Sequence, residues 1–287
     1  IGYQSLKTLN AGADSRNVAV GYQAGLDMTT GIRNVLMGTF AGANLTAGSN
    51  NVAFGEQALI TDTNGHHSTA IGHSALASQN FATTTDSNNT AVGYDAGLSI
   101  TTGFQNTLIG GLAGDALTDS DKNTAVGYSA LGAETLGQFN TAIGRSALQA
   151  QNNSTATDVY NTAVGYNSGA SVTTGTENTF VGGKTADALT TGSENTAFGY
   201  NALSADTLGS KTVAIGRGTL DAQNFTTATD SYNTAVGYNA GSGVTTGIKN
   251  TLIGGLAGDS LTDADDNVGV GINTLTSDVR GSKAVAV

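Results

Sequence analysis

The sequence predicts an all-β fold, a parallel β-solenoid of about 16 coils. Three observations carry this. The motif NTAVGY recurs at 89–94, 123–128, 161–166 and 233–238, with NTAFGY at 195–200. The glycines that close these motifs keep a fixed register along the whole chain. The residues before each glycine alternate with the period of a strand.

The register comes first. From Gly21 the glycines fall at steps of 17, 17, 17 and 21 residues, and Gly21, Gly93, Gly165 and Gly237 are each 72 apart. The basic unit is therefore 17 residues, nested in a super-repeat of 72. With the glycine as position 5, position 1 is Asn in 13 of 15 complete motifs, the exceptions being Ser68 and Thr212. Position 2 is Thr or Val, position 3 is mostly Ala, and position 4 is Val, Ile, Met or Phe.

Each motif then reads as a strand of about 5 residues, rich in β-branched side chains. Recurrent glycine disfavours helix. The remainder of each unit carries turn residues, such as TTG at 29–31, 101–103, 173–175 and 245–247. A single unit buries nothing alone, but stacked units do. Alternation predicts that positions 2 and 4 point into the coil and positions 3 and 5 point out. Ala19, Ala91, Ala163, Ala235, Gly21, Gly93, Gly165 and Gly237 would then form a smooth outer face. Asn89, Asn106, Asn123, Asn140, Asn161 and Asn178 would stack as a ladder of side-chain amides.

The four extra residues of every fourth coil lie in ASQNFATTTDSN, QAQNNSTATDVY and DAQNFTTATDSY. They are expected to project as loops, either binding loops or a spacing device. The whole chain, 1–287, reads as one repetitive solenoid with super-repeats at about 17–88, 89–160, 161–232 and 233–287. The opening on Ile1 and the close at KAVAV predict a piece of a longer protein.

Composition narrows the function. Eleven Lys and Arg stand against 22 Asp and Glu, a formal charge of −11, which opposes nucleic-acid binding. There is no Cys, so disulfides and thiolate metal sites are excluded. No run of apolar residues is long enough to insert in a membrane in this segment.

Candidate chemistry is sparse. GGLAGD at 110–115 and 254–259 looks like a phosphate-cradling loop, but no amphipathic helix follows it. Asp119, Asp121, Asp263, Asp265 and Asp266 are the candidates for a calcium site, although equivalent coils lack them. His66, His67 and His73 lie near one coil. Asp62, Glu134, Asp206 and Asp278 repeat at 72 and are expected to form a surface column. The tyrosine after the motif glycine is expected to cover the coil edge, with sugar stacking as the alternative. No catalytic residue and no cofactor is expected.

The blocks NTAVGYSALGAETLGQFNTAIG and TTGxxNTLIGGLAG resemble repeats of YadA-like trimeric autotransporter adhesin heads. They are also similar to 17-residue repeats of bacteriophage tail fibres and surface fibres. The resemblance implies a left-handed β-roll, a homotrimer packed through the Ala and Gly columns, and an extracellular place on a virion tail or a bacterial surface. It implies a structural and adhesive shaft or head segment, with a host-surface glycan or protein receptor as partner. Leu36, Leu108, Phe180 and Leu252 depart from the small residues at position 3. The alternatives are an ice-binding monomeric solenoid and a polysaccharide-cleaving tailspike. Ice binding would need Thr to face outward.

Overall fold

In the computed structural model, which describes residues 1–12 and 14–287, the chain is a parallel β-solenoid of about 16 coils of about 17 residues. It divides into two compact units. One is Ile1–Asn140 with Asn152–Asp158, and the other is Thr141–Gln151 with Val159–Val287.

In the first unit, the motif strands Val18–Val20, Val35–Met37, Val52–Phe54, Thr69–Ile71, Thr90–Val92, Thr107–Ile109 and Thr124–Val126 pair in parallel, each with the next. In the second, the same holds from Thr141–Ile143 and Thr162–Val164 through to Val268–Val270 and Val285–Ala286. Pairing is in register, so Thr162 meets Thr179 and Ala163 meets Phe180. Equivalent positions therefore form columns about 4.8 Å apart.

The strands are 3 residues long rather than about 5. The motif glycine ends each strand, because its φ lies near +140° (Gly93 at +145°, Gly237 at +140°). In the coils that carry inserts, a second short pairing forms. Gly65–His66 pairs with Thr85–Asp86, Gly137–Gln138 with Thr157–Asp158, and Gly209–Ser210 with Thr229–Asp230. The inserts thus carry ladder hydrogen bonds at their far ends.

The facing of the strands reverses the expectation. Position 3 points in and positions 2 and 4 point out. Ala91, Ala163 and Ala235 are fully buried and Ala19 is 8% exposed, whereas Ile143 at position 4 is 38% exposed. The reason is room. A 17-residue coil encloses a narrow core already filled from the opposite wall, and alternation fixes only which residues share a face.

The core fits small against large. Leu36 fills the space left by two glycines: a Cβ on Gly25 would lie 2.8 Å from its Cδ1, and one on Gly42 2.8 Å from its Cδ2. Phe180 does the same beside Gly169, at 2.9 Å. Where position 3 is Ala, the residue four after the motif glycine is often Leu instead, as at Leu59, Leu76, Leu131 and Leu203, all buried. The large residues at Leu36, Leu108, Phe180 and Leu252 are thus core residues, not obstacles on an outer face.

Candidate functional site

The geometry offers three candidates: a dry polar network inside, an outward sheet face, and a ridge of tyrosines.

The network begins with the asparagine column. From Asn34 to Asn267 position 1 is buried, and in most coils the side-chain oxygen accepts the backbone N–H of the next position 1, whereas Asn140 Oδ1, ahead of a 21-residue step, has no partner. Asn106 N donates to Asn89 Oδ1 at 2.8 Å, Asn123 N to Asn106 Oδ1 at 2.9 Å and Asn140 N to Asn123 Oδ1 at 2.9 Å. In the second unit Asn178 N donates to Asn161 Oδ1 at 2.9 Å. The Nδ2 group goes mainly to a turn carbonyl, as from Asn106 to Ser120 O at 2.7 Å. The amide-to-amide bond is longer, 3.3 Å between Asn106 Nδ2 and Asn89 Oδ1. The column is thus mostly an amide-to-backbone ladder. Asn106→Ala would leave the Asn123 N–H and the Ser120 carbonyl without partners, at about 2–4 kcal/mol. Urea denaturation would read this as a lower midpoint.

Seven residues after the motif glycine lies an inward column. It reads Met28, Leu45, Asp62, Gln79, then Ile100, Leu117, Glu134, Gln151, then Val172, Leu189, Asp206, Gln223. All twelve are buried. The expected surface column of carboxylates is therefore corrected for Asp62, Glu134 and Asp206, which are fully enclosed. Asp278, further along, is only part-buried.

Each acid is held by neighbours from the coil after it. Gln79 Nε2 donates to Asp62 Oδ2 at 2.7 Å and to Ser68 Oγ at 2.8 Å, and Gln79 Oε1 accepts from Asn89 Nδ2 at 2.9 Å. Gly65 N donates to Asp62 Oδ1 at 3.0 Å. The second unit repeats this with Gln223, Asp206, Thr212 and Asn233. Glu134 accepts from Gly137 N at 2.7 Å and from Asn153 Nδ2 at 2.8 Å. Burial pushes the carboxyls of Asp62 and Asp206 above their ordinary value, and the Gln and backbone donors pull them partly back.

This explains the two breaks in the asparagine column. Ser68 and Thr212 supply short hydroxyls that meet Gln79 and Gln223, and each also meets a second hydroxyl, Ser87 at 2.5 Å and Ser231 at 2.6 Å. Sequence reasoning missed the glutamines. The signal was the column itself, in which an acid is always followed one coil later by Gln.

The calcium candidates do not converge. Asp119 accepts from Thr102 Oγ1 at 2.5 Å, and Asp121 from Phe104 N at 2.9 Å. Asp265 accepts from Ile248 N at 2.8 Å, and Asp263 pairs with Arg280 at 3.6 Å. Asp266 sits at a left-handed turn, φ +60°. Among the described residues no three His, Asp or Glu side chains come together to hold a metal. The histidines diverge as well: His67 meets Asp86 at 3.1 Å, while His73 stacks on Tyr94.

The interface candidates are placed differently from expectation. The alanines lie inside and cannot meet another chain. The glycines serve the coil stack: a Cβ on Gly21, Gly93, Gly165 or Gly237 would lie 2.3–2.5 Å from the next glycine's carbonyl oxygen. The face left outward carries Thr or Val and Val, Ile, Met or Phe in two columns.

No protein-family model matches the chain, and no curated protein is similar to it.

The solenoid therefore stands on its own geometry. The tyrosines point outward at the coil edge, with Tyr94, Tyr128, Tyr166, Tyr200 and Tyr238 about half exposed. Among the described residues no helix is long and apolar enough to cross a membrane.

Proposed function

We propose that the chain is a structural and adhesive segment of an extracellular fibre, in which three copies pack about a common axis. The observation that carries this is the outward sheet face. In the second unit Ile143, Phe198, Ile215 and Ile253 are exposed in a row that continues through Val164, Val181 and Val236. A run of large apolar residues along one sheet face is a surface to be covered. The cover that matches a face repeated at fixed register is another copy of that face.

The 72-residue super-repeat supports the same reading. It places a buried acid and glutamine pair within each unit, Asp62 with Gln79 and Asp206 with Gln223, a device for holding a stack in register rather than for turning over a substrate. The resemblance to adhesin heads and phage tail fibres supplies the setting, a virion tail or a bacterial surface.

Light scattering of the native protein, with intact mass alongside, tests the assembly. The expected result is three chains. Ile143→Asp with Ile215→Asp would place six carboxylates in the trimer's dry interface and is expected to give one chain. Each buried isoleucine is worth about 1.5–3 kcal/mol. A single chain for the unaltered protein would overturn the trimer.

Ice binding is the second reading, because Thr90, Thr107 and Thr124 do lie on the outward, part-exposed face of their strands. Met37, Phe54 and Phe198 interrupt the neighbouring column, and five motifs have Val in place of Thr. That unevenness suits a protein partner better than an ice plane. Thermal hysteresis from the single-chain protein would favour ice.

A further inference from the structure

We propose that two of the buried acid and glutamine pairs are sites of covalent cross-linking, in which the hydroxyl of Thr212 or Ser68 displaces ammonia from Gln223 or Gln79 and leaves a side-chain ester. This goes beyond the fibre reading and does not depend on it.

In the second unit three groups meet one carboxamide. Thr212 Oγ1, the nucleophile, lies 3.1 Å from Gln223 Nε2, and Asp206 Oδ2 lies 2.7 Å from the same nitrogen. Asn233 Nδ2 donates to Gln223 Oε1 at 2.8 Å. A fourth group, Ser231 Oγ, lies 2.6 Å from Thr212 Oγ1. All five side chains are buried. The first unit repeats the set. Ser68 Oγ and Asp62 Oδ2 lie 2.8 Å and 2.7 Å from Gln79 Nε2, Asn89 Nδ2 donates to Gln79 Oε1 at 2.9 Å, and Ser87 Oγ lies 2.5 Å from Ser68 Oγ. The Ser87 hydroxyl in turn donates to the His66 carbonyl at 2.7 Å. Its oxygen therefore accepts the Ser68 proton, and the lone pairs of Ser68 Oγ face the carboxamide.

Each group has a task in acyl transfer. The hydroxyl oxygen contacts Nε2, one bond from Cδ, and a turn of the carboxamide about its Cγ–Cδ bond presents the face of Cδ to it. Asn233 Nδ2 is in place for the negative charge that gathers on Oε1. Burial holds the Asp206 carboxyl above its ordinary value, so it keeps a proton for the leaving nitrogen at a higher pH than an exposed acid would. A C–O bond forms between Thr212 Oγ1 and Gln223 Cδ, the Cδ–Nε2 bond breaks, and Asp206 protonates Nε2. The hydroxyl proton restores the Asp206 carboxyl, and the nitrogen leaves as ammonia. No oxidant or co-reactant is consumed. Neighbours fixed within the coil stack take the place of a collision, and the dry core keeps water from the ester. An amide is a poor electrophile, so closure is slow, and the freshly folded chain holds the amide form with its hydrogen bonds intact.

A second observation separates this from polar packing. The middle super-repeat keeps the acid and the glutamine as Glu134 and Gln151, and Asn161 Nδ2 donates to Gln151 Oε1 at 2.9 Å. Its position 1 is Asn140, and Val159 stands where the other two have Ser87 and Ser231. A buried acid and glutamine therefore persist without either hydroxyl. The two hydroxyls come and go together, as a nucleophile and the group that orients it would.

Intact mass and tryptic mapping of the whole chain, fresh and after storage at neutral pH, test this. The stored chain is expected to be lighter by one ammonia for each closed site. Trypsin cuts after Lys211, Arg217 and Lys249, so the bond in the second unit joins peptide 212–217 to peptide 218–249. Hydroxylamine, which splits esters, should part them. Thr212→Val should abolish the joined peptide and Thr212→Ser should keep it, while Asp206→Asn should slow its appearance at least tenfold. Circular dichroism of each variant should match the parent. Absence of the joined peptide from the stored parent overturns the proposal, whatever the variants do. So does ammonia loss with the two peptides still separate, which would place the loss at a succinimide such as Asn64–Gly65 could form. A joined peptide that survives Thr212→Val, or a rate untouched by Asp206→Asn, overturns it as well. Light scattering reads the trimer independently, so either proposal can fail alone.

Discussion

Gly165→Ala is expected to cost about 3 kcal/mol or more, enough to disrupt the coils on both sides of it. Two independent costs meet there. Its φ of +137° belongs to a region open essentially to glycine, and a Cβ would stand 2.4 Å from the carbonyl oxygen of Gly182 on the next coil. That atom is backbone, so relief requires the coils to move apart, and parting them stretches the ladder Thr162–Val164 makes with Thr179–Val181. Gly183→Ala is the control. Its φ is not in the left-handed region, and the nearest atom to its Cβ is a tyrosine ring edge at 3.5 Å, an ordinary contact. Urea midpoints should separate the two sharply, with Gly183→Ala within about 0.5 kcal/mol of the parent. Equal losses would mean that the motif glycine is not where the stack is tightest.

That contrast also shows what was legible in the sequence. The repeat of Gly93, Gly165 and Gly237 at 72, and the steps of 17 between, sufficed for a solenoid because only stacked coils keep such a register. The facing of the strands was not legible from the strand alone. Thr162, Ala163 and Val164 alternate, and alternation says only that Thr and Val share a face. Bulk suggested that this face points inward; the width of the coil decides otherwise. The information lay outside the motif. Leu36 is accompanied by Gly25 and Gly42, and Phe180 by Gly169, and such large-for-small exchange marks residues that share one enclosed space. Likewise, Asp62 and Asp206 read as surface carboxylates until the column is followed one coil on, to Gln79 and Gln223. The arginines that brace Tyr166 and Tyr238 emerge only when the column is read as a sequence of its own.

Gln223→Leu is expected to destabilise the protein by about 3 kcal/mol at pH 7, and by clearly less near pH 4. The side chain supplies the 2.7 Å donor to Asp206 Oδ2 and accepts from Asn233 Nδ2 at 2.8 Å. Leucine keeps the bulk and removes both. Asp206 Oδ1 would retain the Gly209 N–H at 3.0 Å, but Oδ2 would be left in a dry core. Burial raises the Asp206 carboxyl above 3.8, and the Gln223 bond is the largest influence pulling it back. Since the folded value lies above the unfolded one, the native state takes up the proton more readily. The stability linked to this group is fully present below 3.8 and is lost as pH rises through the folded value. Removing Gln223 lifts that folded value further, so the loss deepens and extends to higher pH. Urea denaturation of both proteins at pH 4 and pH 7 gives the comparison. A penalty that grows with pH identifies an ionised Asp206 as the group that Gln223 keeps satisfied. A penalty equal at both values would show instead that Asp206 is protonated throughout, and that the pair holds the coils together as two neutral side chains.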